Sequence, residues 1–186
     1  MHNVQRIRPY LRETSEVQWS QCEIPSPRLL LKPFSPADAN EAFTCITPTL
    51  TRYMSFDPPP SAPAFEAIWR RWLDDIAAGR DFVFAIRSRS TRAFIGLCGL
   101  HRTFEAEPEL GIWVRESEHG HAYGREAVGV VFDWGAKHFA PAAFTYPVAQ
   151  ANTPSRRIAE SLGGVAVAHR PGTKYDTVVY RIPASR

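Results

Sequence analysis

A chain of 186 residues is the length of one ordinary domain, enough to bury about 70% of its extended surface around a single core. Hydrophobic residues at 44%, charged residues at 22% and aromatics at 12% exclude a disordered or fibrous chain and read as a globular enzyme. The net charge of +3 is too small to argue for direct nucleic-acid binding, and the longest uncharged stretch, between Lys137 and Arg156, is broken by Pro141, Pro147 and Pro154 and cannot span a membrane.

Residues 1–27 are polar, contain Pro9, Pro25 and Pro27, and lack an apolar period. They read as an N-terminal extension, lying on the domain or loose in solvent, with the domain itself covering 28–186. Arg6, Arg8 and Arg12 are followed by no apolar run, which argues against a secretory signal. Cys22, Cys45 and Cys98 are odd in number and far apart, a pattern that fits free thiols in a reducing compartment. Cytoplasmic residence is the expectation.

Leu29 to Leu31 predicts a short strand, and Ser35-Pro36-Ala37-Asp38 a helix start leading to about Cys45. The segment from Thr47 to Pro63, with Pro48, Pro58, Pro59, Pro60 and Pro63, predicts a loop with one helical turn around Thr51 to Met54. Phe65, Ile68, Trp69, Trp72, Leu73 and Ile76 recur at helical spacing within Ala64 to Ala78, and Gly79 is placed to stop that helix. Aromatics at this spacing belong to a core, although Phe56, Phe65, Trp69 and Trp72 are also candidates to line a cleft under the proline-rich loop. Asp81 to Arg87, Ala93 to Leu100 and Glu109 to Val114 predict an antiparallel meander. A glycine-bearing turn, Ser117 to Gly124, precedes a helix to about His138, whose apolar stripe is Ala127, Val130, Val131 and Trp134. A strand at Phe144 to Ala149, a helix at Pro154 to Leu162 with Thr153 as N-cap, and strands at Val165 to His169 and Thr177 to Ile182 complete the chain.

The chemistry concentrates in strand, Gly120-His121-Ala122-Tyr123-Gly124, helix. The first N–H groups of a helix have no partner inside it, and small residues before them let an anionic group approach closely. A triphosphate loop would end in Lys followed by Ser or Thr, where this chain has Arg125-Glu126, and the dinucleotide Gly-x-Gly-x-x-Gly spacing is also absent. His119 and His121 flank Gly120 but have no third ligand at a recognisable spacing, so no metal is expected. Pro147 inside a strand requires an edge, a bulge or a locally unpaired stretch. Arg156 and Arg157 in the first turn of a helix oppose its dipole, a cost that a bound anion would relieve.

Glu109-Leu110-Gly111-Ile112-Trp113-Val114, the 120–127 turn, and Asn152 with Ser155-Arg156-Arg157 and Glu160-Ser161-Leu162-Gly163 together resemble the GNAT family of N-acetyltransferases. The nearest branch is that of ribosomal-protein alanine N-acetyltransferases of the RimJ and RimL type. The resemblance covers about Arg28 to Ile182 and departs from the family pattern at Ser117, Ala122 and Gly164. It implies an α+β fold (mixed α/β), with a mostly antiparallel mixed sheet flanked by helices and central strands that splay around the pantetheine arm of acetyl-CoA. It implies cofactor contacts from Ile112, Trp113, Val114, His119, Gly120, His121, Ala122, Tyr123, Gly124, Arg125, Asn152 and Arg156.

Acyl transfer to an amine needs a proton acceptor, a polarised carbonyl and a proton for the departing thiolate. Main-chain N–H groups of Ile112 to Val114 are candidates to polarise the carbonyl. Glu109 is the candidate base, with Glu105 and Glu107 as rivals; Ser155 is the candidate proton donor, with Tyr146 and Tyr123 in reserve. His101 has no assigned role. The expected activity is acetyl transfer to a primary amine, on a small molecule or a protein N-terminus, by a monomer or homodimer. The alternative is an acyl-CoA-binding or sensor module without turnover.

Overall fold

The computed structural model describes residues 18–185. Eight strands form one sheet in the order β1-β2-β3-β4-β5-β6-β8-β7. They are β1 (Ile24–Pro25), β2 (Leu29–Pro33), β3 (Phe82–Ser88), β4 (Phe94–His101), β5 (Glu109–Val114), β6 (Ala143–Ala149), β7 (Val165–Arg170) and β8 (Thr177–Pro183). Every neighbouring pair is antiparallel except β5 and β6, which run parallel. The helices are α1 (Ala39–Cys45), α2 (Pro48–Thr51), α3 (Ala62–Ala77), α4 (Tyr123–Phe139) and α5 (Thr153–Ser161). This is the mixed, mostly antiparallel arrangement flanked by helices that the sequence led us to expect.

Both faces of the sheet centre are covered, which is why β4 carries an unbroken apolar run. On one face α3 brings Phe65 and Trp72 against Phe34, while Arg87 of β3 reaches Asp38 and Glu41 beside α1. On the other face α4 sets Trp134 edge-on to Phe82 and Phe84 and packs Phe132 on Phe144. Burial pushes the Cys22 thiol up to about 11 and raises Cys45 and Cys98 as well, so the three free cysteines are poor nucleophiles.

Several boundaries differ from the sequence expectations, each for a local reason. Strand β1 pairs with β2 before Arg28, and Trp19 stacks on Phe139 and meets Phe82 edge-on, so the described part of the extension is laid on the domain. The helical turn in the proline-rich loop lies at Pro48–Thr51 rather than Thr51 to Met54, because the Thr47 hydroxyl accepts from the Leu50 N–H and Pro48 occupies the first turn. The N-cap of α5 is Asn152, not Thr153: the Asn152 side-chain oxygen accepts from the Ser155 N–H at 3.3 Å.

At the crossing of β4 with β5 the backbones approach so closely that a Cβ at Gly96 would lie 2.1 Å from the Trp113 carbonyl oxygen. Neither strand can retreat without breaking its ladder. Gly96→Ala is therefore expected to lower unfolding stability by about 2–3 kcal/mol, read as a lower urea midpoint at unchanged slope.

Candidate active site

The parallel strands β5 and β6 share one register pair, Glu109 with Thr145, and the Thr145 N–H donates to the Pro108 carbonyl at 2.8 Å. Beyond that point β6 continues to pair with β8 as far as Ala149 while its ladder with β5 ends. Because N–H directions alternate along a strand, Pro147 turns its missing donor toward the side where β5 has parted. A proline is tolerated there since no ladder bond is lost. The gap opens a cleft of about 680 Å³ lined by Gly111, Ile112 and Trp113 on one side and by Tyr146, Pro147 and Val148 on the other.

At the far end of β5 the chain turns into α4 without a side-chain cap. Ala122 sits at φ 60° and Gly120 at φ +84°. A Cβ at Gly120 would meet nothing within 4 Å, so the open space belongs to whatever approaches the turn. Among the described residues no protein acceptor takes the main-chain N–H groups of 120–125; the first helical bond runs from Glu126 N–H to the Ala122 carbonyl. The His119 ring meets the Val114 carbonyl at 2.7 Å and the His121 ring the Glu118 carbonyl at 3.3 Å, so both brace the turn. Arg28 donates to the His121 carbonyl at 3.0 Å and lies over the Tyr123 ring, holding Tyr123 at the turn and apart from the cleft. Burial works against ionised Glu126, but the Ser26 hydroxyl and the Arg28 N–H and guanidinium outweigh it and keep its carboxyl below the usual value. Gly124 admits Ile158 of α5 and Val114 of β5, which would stand 3.3 and 3.6 Å from a Cβ. The result is a braced cradle of unpaired donors that fits a diphosphate.

The start of α5 forms the wall of the cleft beside Val148, with Asn152 and Ser155 lining it. Ser155 Oγ is 2.8 Å from the Tyr146 hydroxyl, so two of the candidate proton donors named from sequence are hydrogen-bonded to each other. Burial pushes the Tyr146 phenol up, which keeps it protonated. Arg156 lies in the first turn of α5, as its sequence position suggested, and makes contacts within the protein. Its Nε donates to the Tyr180 hydroxyl at 3.0 Å and its Nη1 to the Gln150 carbonyl at 3.4 Å, and the Tyr180 bond raises its pKa.

Side chains alternate between the two faces of a strand. Ile112 and Val114 share the face of α4 and α5. Glu109, Gly111 and Trp113 point to the α1 and α3 face, opposite His101, Gly99 and Leu97 of β4. Gly99 and Gly111 carry no side chain between Trp113 with Leu97 at one end and His101 with Glu109 at the other; the His101 ring leans onto Gly99, and Gly111 stays bare. Tyr53, Phe56, Phe65 and Trp72 line the same cleft, whereas Trp69 does not. Of the three acids considered from sequence, Glu109 alone lines this cleft. Glu105 lies near Arg102 and Glu107 pairs with Arg181 at 2.7 Å. Arg102 holds Oε2 of Glu109.

Residues 28–165 match the family described as acetyltransferase (GNAT) domain. The chain belongs to that family and is an acetyl-CoA-dependent N-acetyltransferase. The fold is similar to spermidine N-acetyltransferase from Vibrio cholerae solved with CoA and spermine (17% identity, 86% of this chain and 98% of that one, TM-score 0.75). It is also similar to RimJ of Mycobacterium smegmatis (18% identity, 84% and 82%, TM-score 0.74). RimL, the ribosomal L7/L12 α-N-protein acetyltransferase solved with coenzyme A, aligns at 12% identity over 87% and 97% of the two chains with a TM-score of 0.76. These structural likenesses show the shared fold. No curated protein sequence matches the chain. None of the helices described is long and apolar enough to cross a membrane.

Sequence reasoning left His101 without a role and passed over Asp81, Gly99 and Gly111. The signal was present: Gly99 with His101, and Glu109 with Gly111, are spaced by two, which puts each pair on one strand face.

Proposed function

We propose that this enzyme acetylates the single primary amine of an acceptor with an apolar or peptide-like body, a protein N-terminus being the best-supported class. The observation that carries this reading is the lining of the acceptor side. It is aromatic, its one carboxylate is Glu109, already held by Arg102, and Arg71 and Arg170 reach it without an acidic partner among the described residues. A polycation would meet like charge there, which costs several kcal/mol at close range.

Acetyl-CoA supplies the acetyl group as a thioester activated for attack. The free N–H groups of 120–125 bind its diphosphate, and the unpaired edge of β5 at Ile112 to Val114 aligns its arm and polarises the carbonyl. Asn152 keeps its Nδ2 donors for the same arm, since only its oxygen caps α5. The acceptor amine attacks directly from the α1 and α3 face, where Glu109 accepts a proton. The departing sulfur faces Ser155, which donates its proton and is resupplied by Tyr146. Proton removal and proton delivery thus lie on opposite faces of the sheet and do not neutralise each other. The Arg156 contacts support a structural role for that residue at the start of α5.

Thiol release from acetyl-CoA with a panel of amines tests the reading. An apolar N-terminal peptide is expected to exceed spermine in kcat/KM by about tenfold or more. Tight coenzyme A binding with no turnover of any amine would instead favour a sensor module. Ser155→Ala is expected to lower kcat about 10–100-fold with little change in KM for acetyl-CoA, and Tyr146→Phe to cost less, because it removes only the far end of the relay.

A further inference from the structure

We propose that His101 is a catalytic base of this enzyme, taking the first of the two protons that the acceptor ammonium loses, and that Asp81 is its positioning residue. The inference rests on the amine acetylation proposed above. His101 is the last residue of β4 and lines the cleft from the same strand face as Glu109, its cross-strand partner. Residues directly opposite on one face stand close enough to act on one substrate atom. The Nε2 tip of the imidazole leans onto Gly99, where a Cβ would sit 2.2 Å from Nε2 and 3.0 and 3.1 Å from the ring carbons beside it. Any other residue at 99 would expel the ring, so the glycine is what places it.

Asp81 fixes the orientation of the ring. Its Oδ1 is 3.3 Å from His101 Nδ1 and accepts the main-chain N–H of Arg102 at 2.8 Å, so the carboxylate is anchored independently of the ring. Hydrogen bonding to His101 is the largest influence holding the Asp81 carboxyl below its ordinary range. With Nδ1 turned to Asp81, Nε2 is the free acceptor, and it points over the bare floor: a Cβ at Gly111 would be 4.0 Å from it. Nothing in the protein fills that position. The charged and titratable groups facing this ring are Asp81 at the start of β3, Arg102 after β4 and Glu109 on β5. Arg71 of α3 and Arg170 and Tyr175 around the β7–β8 connection line the cleft farther out.

The proton balance gives a second base a task. An ammonium must lose one proton to become a nucleophile and a second on becoming an amide, whereas the thiolate takes up one, so one proton is released per turnover. A lone carboxylate would have to discharge the first proton before accepting the second. With two bases, an ammonium N–H bond breaks as Nε2–H forms, and the imidazolium is stabilised by Asp81. The nitrogen lone pair then forms the C–N bond, the C–S bond breaks, and Glu109 accepts the second proton while Ser155 supplies the sulfur. His101 and Glu109 each return a proton to solvent, and solvent restores one to the Ser155–Tyr146 pair.

The test compares wild type, His101→Gln, His101→Ala and Asp81→Asn over a range of pH with an amine the wild type acetylates. Near neutral pH His101→Gln is expected to lower kcat/KM about 10²-fold, and the deficit to shrink at alkaline pH, where the amine is already neutral. Added imidazole should partly restore His101→Ala, and Asp81→Asn should lower kcat several-fold with little change in KM for the amine, a split that a merely structural loss would not give. Independently of turnover, in ¹⁵N-histidine-labelled protein the His101 Nε2 signal should shift when the amine is added, because the bound ammonium hydrogen-bonds to it. A deficit constant at all pH values, or His101 signals unmoved by amine, overturns the assignment while amine acetylation stands. A wild type that acetylates no amine overturns both.

Discussion

Gly120→Val is expected to weaken coenzyme A binding by about 10–100-fold while leaving the folded state intact. Two effects act together. At φ +84° a β-branched residue is strained by about 1–3 kcal/mol, and relaxing that strain rotates the N–H groups that form the cradle. The side chain also projects into space that the protein leaves open within 4 Å of this position, which is the space a diphosphate needs. Calorimetric titration with coenzyme A measures the loss, and circular dichroism checks the fold. Gly129→Ala is the control: it lies in the middle of α4, its Cβ would also meet nothing within 4 Å, and it should leave affinity unchanged while stabilising the helix by about 0.5–1 kcal/mol. Equal affinity in wild type and Gly120→Val would remove the turn as the phosphate site.

Glu109→Gln carries the other large effect, an expected fall in kcat of about 10²–10⁴-fold with coenzyme A affinity unchanged. The amide keeps the size of the side chain and can still accept from Arg102 through its oxygen, so the register of β5 with β4 is preserved. What it loses is a place for the proton leaving the amine. Glu107→Gln is the comparison, since that carboxylate pairs with Arg181 outside the cleft and its loss should alter turnover by no more than a few fold. Steady-state kinetics with saturating acetyl-CoA separate the two. If Glu109→Gln matched wild type at every pH, Glu109 would not be a proton acceptor in the reaction.

The parts of the site legible from sequence are those whose chemistry is local. A glycine-bearing turn between a strand and an amphipathic helix implies free N–H groups wherever the turn lies in the fold. Pro147 signals an unpaired stretch because the missing donor is a property of the residue, and the structure puts the parting of β5 and β6 beside it. Thr153 was expected as the cap of α5 where Asn152 serves, an error of one residue between two good capping side chains. Arg156 was correctly read into the first turn of its helix, whereas its contact to Tyr180 is made between elements that no local pattern relates.

The linear order of residues was thus sufficient for the element types and the mixed sheet, and for naming a candidate cradle and candidate proton carriers, since backbone geometry and side-chain chemistry within a few positions point to each. Folding selected among them. It turned Glu109 into the cleft while Glu107 was drawn to Arg181, brought Tyr146 onto Ser155, and laid His101 over Gly99 beside Asp81. Those outcomes depend on strand register, sheet twist and which helix covers which face. Such quantities are settled by packing of the whole core, so they exist only once distant segments have met.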